Sequence, residues 1–288
     1  MSRNNDERRS AKQAGTTQTP PQAMMAPQQE QSFNFVIPTE IVDLPSKGEF
    51  YSDGHPLCGT DTLEIRHMTA KDEDILTSKS LLKKGVAIDR LLKSVIVDKK
   101  IDPNSLLVGD RNALLVAVRT TGYGSEYKTD VSCPNCSARN QFTFDIAEAV
   151  STFPDLDLLQ DLEVERTENG TFLLELPKMR VNVELRLLNG HDEKKLTAKM
   201  QQRKKSKLPE SNSTEQFRMI IASVNGDPNP SAISQLINVM PALDSRYLRS
   251  VYKNLNPNID LTQDFYCEEC DFEGSMEVPF TTDFLWPK

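Results

Sequence analysis

The sequence has little of what membrane insertion or secretion requires. No run approaches the roughly 18 consecutive apolar residues of a membrane helix. The charged start, Met1–Arg9, is not followed by the apolar segment of a secretion signal. We therefore predict a protein without membrane contact.

Residues and motifs of common catalytic sites are also scarce. The three histidines, His55, His67 and His191, form no His-x-x-x-His or His-Glu-x-x-His pattern. Neither a Gly-x-x-x-x-Gly-Lys-Ser/Thr nor a Gly-x-Gly-x-x-Gly phosphate-binding loop occurs. Acidic residues such as Asp72 fall where the first turn of a helix favours negative charge. The sequence predicts no enzyme and no small-molecule substrate.

Net positive charge is absent as well. The chain has 34 basic and 42 acidic residues, which gives a net charge of −8. Phosphate binding needs clustered Lys and Arg, so this balance disfavours nucleic acid as a partner. The one notable basic run, Arg203–Lys207, indicates a solvated loop, with an acidic partner or nucleic acid as alternatives.

The composition changes along the chain. Residues 1–32 contain no Val, Ile, Leu or aromatic residue, which predicts a disordered tail. Residues 33–150 are predicted to be a mainly helical part with a first cysteine pair. Residues 151–288 are predicted to hold a β meander, helices and a second pair. The predicted fold class is α+β, with both parts forming one intertwined unit.

Local patterns predict individual elements. Residues Thr62–Met68 alternate like a strand, and Thr69 with Asp72 resembles a helix capping box. Asp110 is predicted to cap the next long helix. Asn169-Gly170 is typical of a type I′ hairpin turn. Helices are predicted at 70–77, 86–97, 111–121, from 191 onward, 215–224, 231–240 and 244–255.

Four of the five cysteines form two Cys-x-x-Cys pairs, Cys133 with Cys136 and Cys267 with Cys270. Each pair lies between stretches that read as strands. Zinc favours four tetrahedral ligands, so the pairs predict one structural zinc held by two hairpins, a split zinc ribbon. Reduced buried thiols and a redox or disulfide role are the alternatives. A redox pair usually opens a helix, and here a strand follows each pair.

Two further features stand apart from this pattern. Cys58 is predicted to be a small buried or half-buried residue. Phe284, Leu285 and Trp286 crowd near the end of the sequence, where chains are normally polar. They must be buried either on the same chain or in the pocket of a partner, and we predict them as partner-binding residues.

Several blocks of the sequence resemble one known family, the T4-like phage baseplate hub proteins. They are Ile37–Glu40, Leu44–Tyr51, Met68–Leu76, Gly109–Ala113, Thr121–Tyr127, Met240–Arg249 and Thr282–Pro287. The resemblance covers residues 36–287. It implies a structural or assembly component of the contractile-tail baseplate hub, made in the host cytoplasm and located in the virion tail baseplate. It also implies other hub and tail proteins as partners and zinc knuckles at the paired cysteines.

Two other functions remain as alternatives. A zinc-dependent hydrolase would need an open coordination position on the metal. A zinc-ribbon nucleic-acid-binding protein would need a basic face near the cysteine pairs.

Overall fold

The computed structural model describes residues 36–206, 212–278 and 282–285. These residues form helices and small antiparallel sheets, which confirms the α+β class. The chain from Ile37 onward forms one unit by its internal contacts. The predicted disordered tail lies outside the described residues, and the boundary between residues 150 and 151 stays a prediction.

The described strands all pair in the antiparallel sense. Their bounds are β1 Thr39–Asp43, β2 Thr62–Arg66, β3 Glu126–Ser132, β4 Arg139–Asp145, β5 Val150–Thr152, β6 Glu165–Arg166, β7 Phe172–Glu175, β8 Asn182–Leu185, β9 Ile221–Val224, β10 Asn258–Asp260, β11 Thr262–Tyr266 and β12 Glu273–Glu277. Strands β6 to β9 form one four-stranded sheet in that order, and the others form the pairs β1-β2, β3-β4, β5-β10 and β11-β12.

The helices cover most of the residues between these strands. Their bounds are α1 Ala70–Thr77, α2 Lys79–Lys84, α3 Ala87–Val95, α4 Val108–Tyr123, α5 Leu156–Asp161, α6 Gly190–Lys205, α7 Asn212–Ile220, α8 Pro230–Val239, α9 Ala242–Leu255 and α10 Thr282–Leu285. None of the described helices has the length and apolar content to cross a membrane. The hydrophobic core includes Leu114 of α4, Leu248 of α9 and Phe144 of β4, all fully buried.

Two aspartates predicted at helix starts lie inside their helices. Helix α4 begins at Val108 and α9 at Ala242, so Asp110 and Asp244 are each the third residue. The prediction that Asp110 caps its helix is therefore wrong. Its carboxylate accepts hydrogen bonds from the backbone N–H of Ser46 at 2.9 Å and from the hydroxyl of Tyr51 at 2.6 Å.

Two other local predictions are also wrong. Residues 221–224, predicted as the end of a helix, form β9, where buried and partly buried residues alternate beside β8. The β6-β7 turn is not type I′, because that turn needs positive φ at both central residues. Of Asn169 and Gly170, only Gly170 has a positive φ, 72°.

The unit contains the same order of motifs twice. In the first repeat, residues 39–145, Arg66 at the end of β2 pairs with Asp72 of α1 at 2.7 Å. In the second repeat, residues 172–277, Arg186 after β8 pairs with Asp192 of α6 at 2.7 Å. Each repeat then continues to a long helix with a buried aspartate and ends in a hairpin with a cysteine pair.

The spacing within the last part of each repeat, from the buried aspartate to the cysteine pair, is the same. The interval along the chain from Asp110 to Cys133 equals the interval from Asp244 to Cys267. The buried aspartate also has the same task twice, because Asp244 accepts hydrogen bonds from the backbone N–H groups of Lys178 and Met179 at 2.8 and 3.0 Å. The repeats therefore bring two equivalent hairpins into one unit.

Candidate metal centre

Two β-hairpins hold the four paired cysteines. Strands β3 and β4 pair up to Ser132 opposite Arg139, and the turn between them contains the first cysteine pair. Strands β11 and β12 pair up to Tyr266 opposite Glu273, and their turn contains the second pair. Both predicted hairpins are confirmed, and each ladder ends next to its first cysteine.

The turn Cys133–Ala138, here called the first knuckle, is closed by two backbone hydrogen bonds. The N–H of Cys133 donates to the carbonyl of Ala138, and the N–H of Ser137 donates to the carbonyl of Cys133, both at 2.9 Å. Ser137 has a φ of 60°, a left-handed conformation that is unusual for a residue with a side chain. This bend returns the chain to the ladder directly after the second cysteine.

The turn Cys267–Phe272, the second knuckle, has the same construction. The N–H of Cys267 donates to the carbonyl of Phe272 at 2.9 Å, and the N–H of Asp271 donates to the carbonyl of Cys267 at 3.0 Å. Asp271 has a φ of 54°, matching Ser137. The two knuckles therefore present their sulfur atoms in the same way.

The sulfur atoms of the two knuckles face one another. The four Sγ atoms lie within 4.8 Å of each other. Cys133 Sγ is 3.8 Å from Cys270 Sγ, and Cys136 Sγ is 3.8 Å from Cys267 Sγ. Zn–S bonds of about 2.3 Å at tetrahedral angles place sulfurs about 3.8 Å apart. The site therefore has the size to hold one metal ion.

The electrostatics of the thiols also suit a cation. Burial would raise the pKa of Cys133, but hydrogen bonds from the backbone N–H groups of Cys136 and Asn135 lower it to about 7. The backbone N–H of Ala138 lowers the pKa of Cys136, but the neighbouring thiols, Cys270 foremost, raise it to about 12. One sulfur thus ionises easily and the next does so with difficulty. A bound divalent cation would offset the repulsion between neighbouring thiolates, so that all four thiols could be deprotonated.

Amide groups of the first hairpin point at the sulfurs of the second knuckle. Asn135 Nδ2 lies 3.6 Å from Cys270 Sγ, and Asn140 Nδ2 lies 3.5 Å from Cys267 Sγ. Donors of this kind orient ligands and stabilise thiolates. The sequence reasoning missed both asparagines, although Asn135 stands inside the first Cys-x-x-Cys pair.

The two hairpins also touch beside the sulfurs. The rings of Phe142 and Phe265 meet edge to face, with centroids 5.4 Å apart. The side-chain amide of Gln263 accepts from the backbone N–H of Asp145 at 3.1 Å. These contacts fix the position of one hairpin against the other independently of a metal.

The exposure and charge of the site limit its chemistry. Cys133 and Cys267 are buried, whereas Cys136 is exposed and Cys270 half-buried. Four thiolates would complete a tetrahedral shell, which leaves no position for a reacting water. Residues Cys267–Glu273 include four acidic residues and no basic one, so the second knuckle offers no surface for phosphates.

The other predicted site residues are Phe284, Leu285 and Trp286. Phe284 and Leu285 of α10 are buried, and the ring of Phe284 meets that of Tyr127 edge to face at 5.2 Å. Trp286 lies outside the described residues. Their role in binding a partner stays a prediction. Cys58 is exposed, so the prediction of a buried residue is wrong.

The chain is thus a protein with a candidate closed metal centre, in which two hairpins face each other and hold four cysteines close together. The chain belongs to the family described as T4 bacteriophage base plate protein, whose model matches residues 37–286. It is thus a phage baseplate protein, and its expected partners are other baseplate proteins. Comparisons with curated proteins and with solved structures found no match.

Proposed function

We propose that the chain is a structural or assembly component of the baseplate hub of a contractile-tailed phage, and that it acts by binding other proteins. The observation that carries this proposal is the family match over residues 37–286. The closed cysteine centre supports a role without catalysis, because its four sulfurs would saturate a metal.

We also propose that the centre holds one zinc ion. An all-cysteine tetrahedral donor set selects zinc or iron among common metals. The Sγ–Sγ distance is 3.8 Å both between Cys133 and Cys270 and between Cys136 and Cys267, which is the spacing expected around a single ion. Zinc bound there would form the split ribbon predicted from the sequence and cross-link the two repeats.

Cross-linking mass spectrometry of purified baseplates and of particles tests the hub role. We expect cross-links between this chain and hub proteins in assembling baseplates. Recovery in particles would indicate a resident component, and recovery only in assembly intermediates would indicate an assembly factor. Cross-links confined to baseplate proteins outside the hub, or none at all, would contradict the proposal.

A further inference from the structure

Helix α6 carries a dense run of positive charge. Residues 194–205 contain six Lys or Arg and no Asp or Glu. The net charge of the whole chain is −8, so all other residues together carry −14. Helix α6 is therefore a local exception on an acidic protein.

Three of these cations form a stripe on one face of α6. Lys195, Lys199 and Arg203 are spaced by four residues, so they project from consecutive turns. Like charges at this spacing destabilise a helix. The stripe spans about 12 Å along the helix axis. Its arrangement is unfavourable for the isolated helix.

The second half of α6 is held away from the core. Of the residues from Thr197 to Ser206 whose side chains are described, none is buried. The side chain of Lys195, whose Nζ lies 3.9 Å from Asp192 Oδ1, is 69% exposed, and that of Lys199 is 51% exposed. This length of helix therefore presents its charges to solvent and to any protein that approaches.

One buried carboxylate gathers part of the stripe into a cleft. Glu215 of α7 is 7% exposed and lies 3.4 Å from Lys199 Nζ, 3.8 Å from Arg203 Nη1 and 2.7 Å from Arg218 Nη1. These residues and Gln202 line a cleft of about 290 Å³. Glu215 thus holds three cations close together at this end of the stripe.

We propose that the stripe of Lys195, Lys199 and Arg203, together with Arg218, docks an acidic segment of another baseplate protein. The inference rests on the proposed protein-binding function and names the chemistry of the partner. Charge complementarity favours this occupant. A nucleic acid duplex carries its charges continuously, one per about 1.7 Å of axis, and beyond the short stripe it would meet an acidic surface. An acidic protein segment can instead have carboxylates only over the length that contacts the stripe.

A binding measurement on the full chain tests the surface. The probe is a fluorescein-labelled dodecapeptide of alternating Glu and Ala, followed by anisotropy at low salt. The test variant is Lys195→Gln/Lys199→Gln/Arg203→Gln. The matched control is Lys79→Gln/Lys83→Gln/Lys84→Gln on α2, which removes the same charge from exposed positions.

We expect the test variant to weaken peptide binding about 10-fold and the control to change it less than about 2-fold, because contacts to the stripe and not net charge determine affinity. Equal effects of both variants would overturn the proposal. So would a single-stranded oligonucleotide of twelve thymidines that binds the stripe more tightly than the peptide. If the test variant does not fold, Lys195→Gln alone, which leaves the contacts of Glu215 intact, should still weaken binding about 3-fold.

Carbodiimide cross-linking of purified baseplates separates this inference from the proposed function. The reagent joins a lysine directly to a carboxylate in contact. We expect Lys195 and Lys199 to be joined to Asp or Glu of another baseplate protein. Cross-links to hub proteins from other parts of the chain, with none from these lysines, would overturn the docking surface and leave the function standing. Absence of any hub cross-link would remove the function itself.

Discussion

The buried aspartates connect helix starts to distant parts of the chain. Asp72, Asp89, Asp110, Asp192 and Asp244 are each the third residue of a helix and each at most 9% exposed. Their charge interacts favourably with the helix N-terminus, and their oxygens reach outward to an arginine or a loop. In this way one residue type fixes both a helix boundary and a long-range contact.

The partners of these aspartates determine whether they ionise easily. Burial alone would raise the pKa of Asp72, but hydrogen bonds from Arg66 and Thr69 lower it well below its usual range. The donors to Asp110 are the uncharged Ser46 and Tyr51, and burial raises the pKa of this carboxyl in spite of their hydrogen bonds. Equivalent positions in helices thus have opposite responses to acid.

The first prediction concerns a single carboxylate. Asp244→Ala removes the acceptor of two backbone N–H groups, those of Lys178 and Met179. We expect the free energy of unfolding in urea to fall by about 2 kcal/mol or more, since hydrogen bonds to charged groups are among the stronger ones. The exposed Asp74→Ala should change it by less than about 0.5 kcal/mol. Equal decreases in the free energy of unfolding for the two variants would show that the hydrogen bonds of Asp244 do not contribute to stability.

The second prediction concerns pH. A carboxyl whose pKa is lowered by folding stabilises the protein above its unfolded pKa of about 3.9, and this contribution is lost as the pH falls toward the folded pKa. Asp72→Asn lacks that titration. We expect its free energy of unfolding to decrease less than that of the original chain between pH 6 and pH 3, measured by urea denaturation. Parallel pH curves would contradict the lowered pKa of Asp72.

Sequence patterns located these residues but not their roles. Thr69 and Asp72 were predicted as a capping box, and the structure confirms it. Asp110 was predicted as a cap because Asp is favoured both there and in the first turn. Its true partner, Ser46, is 64 residues away. Local propensity carries no information about a contact at that separation.

At the scale of elements, the knuckles show how a short turn can serve a ligand site. Both contain a residue with positive φ directly after the second cysteine, Ser137 and Asp271. Glycine takes this conformation at lower cost. Asp271 has a second task, because its carboxylate accepts a hydrogen bond from the hydroxyl of Tyr266 at 2.6 Å. Ser137 is therefore the cleaner position at which to test strain.

The third prediction follows from that strain. Ser137→Gly should raise the free energy of unfolding by about 0.5–1 kcal/mol. The left-handed conformation costs a residue with Cβ about 1–2 kcal/mol, and glycine avoids this cost. Part of the benefit is offset because glycine loses more conformational entropy on folding than serine does. Ser132→Gly, in strand β3, should lower it. Guanidinium denaturation of the two variants checks this. A stabilising effect at both positions would exclude relief of turn strain as the cause.

The fourth prediction concerns helix α10 and the residue after it. Phe284→Ala should lower the free energy of unfolding by about 3–5 kcal/mol, since its ring is 1% exposed and packs on Tyr127. Trp286→Ala should weaken incorporation into baseplates more than it lowers the melting temperature, because aromatic anchors dominate many interfaces. A strongly destabilised Trp286→Ala that is incorporated normally once folded would assign this residue to the core.

At the scale of the whole molecule, the candidate metal centre joins two repeats that the sequence does not reveal. The α+β class, both hairpins and the four clustered cysteines could be predicted from local pattern. The repeat could not, because its equivalent residues share few identities, as Ser132 and Tyr266 before the two first cysteines show. The hydrophobic pattern is kept in the hairpins, where Val131 and Phe265, each two residues before a first cysteine, are both buried.

The fifth prediction is that purified protein contains one zinc per chain, measured by inductively coupled plasma mass spectrometry. Cys133→Ser/Cys267→Ser should lose it and melt about 10 °C lower or more, because metal-binding free energy counts as folding free energy. The exposed Cys58→Ser should keep the zinc and the melting temperature. Stoichiometric iron, or no metal, would contradict the assignment to zinc.

The two knuckles are far apart along the chain, so they are synthesised at different times. Cys136, which completes the first pair, and Cys267, which opens the second, are 131 residues apart. At a synthesis rate of about 5–20 residues per second, the ribosome reaches the second knuckle about 7–26 s after it has finished the first. Throughout that interval the first pair of thiols offers half a site, open to oxidants and to competing metals. A metal cross-link between the repeats would thus be among the last bonds to form, and the first repeat must hold its hairpin before then.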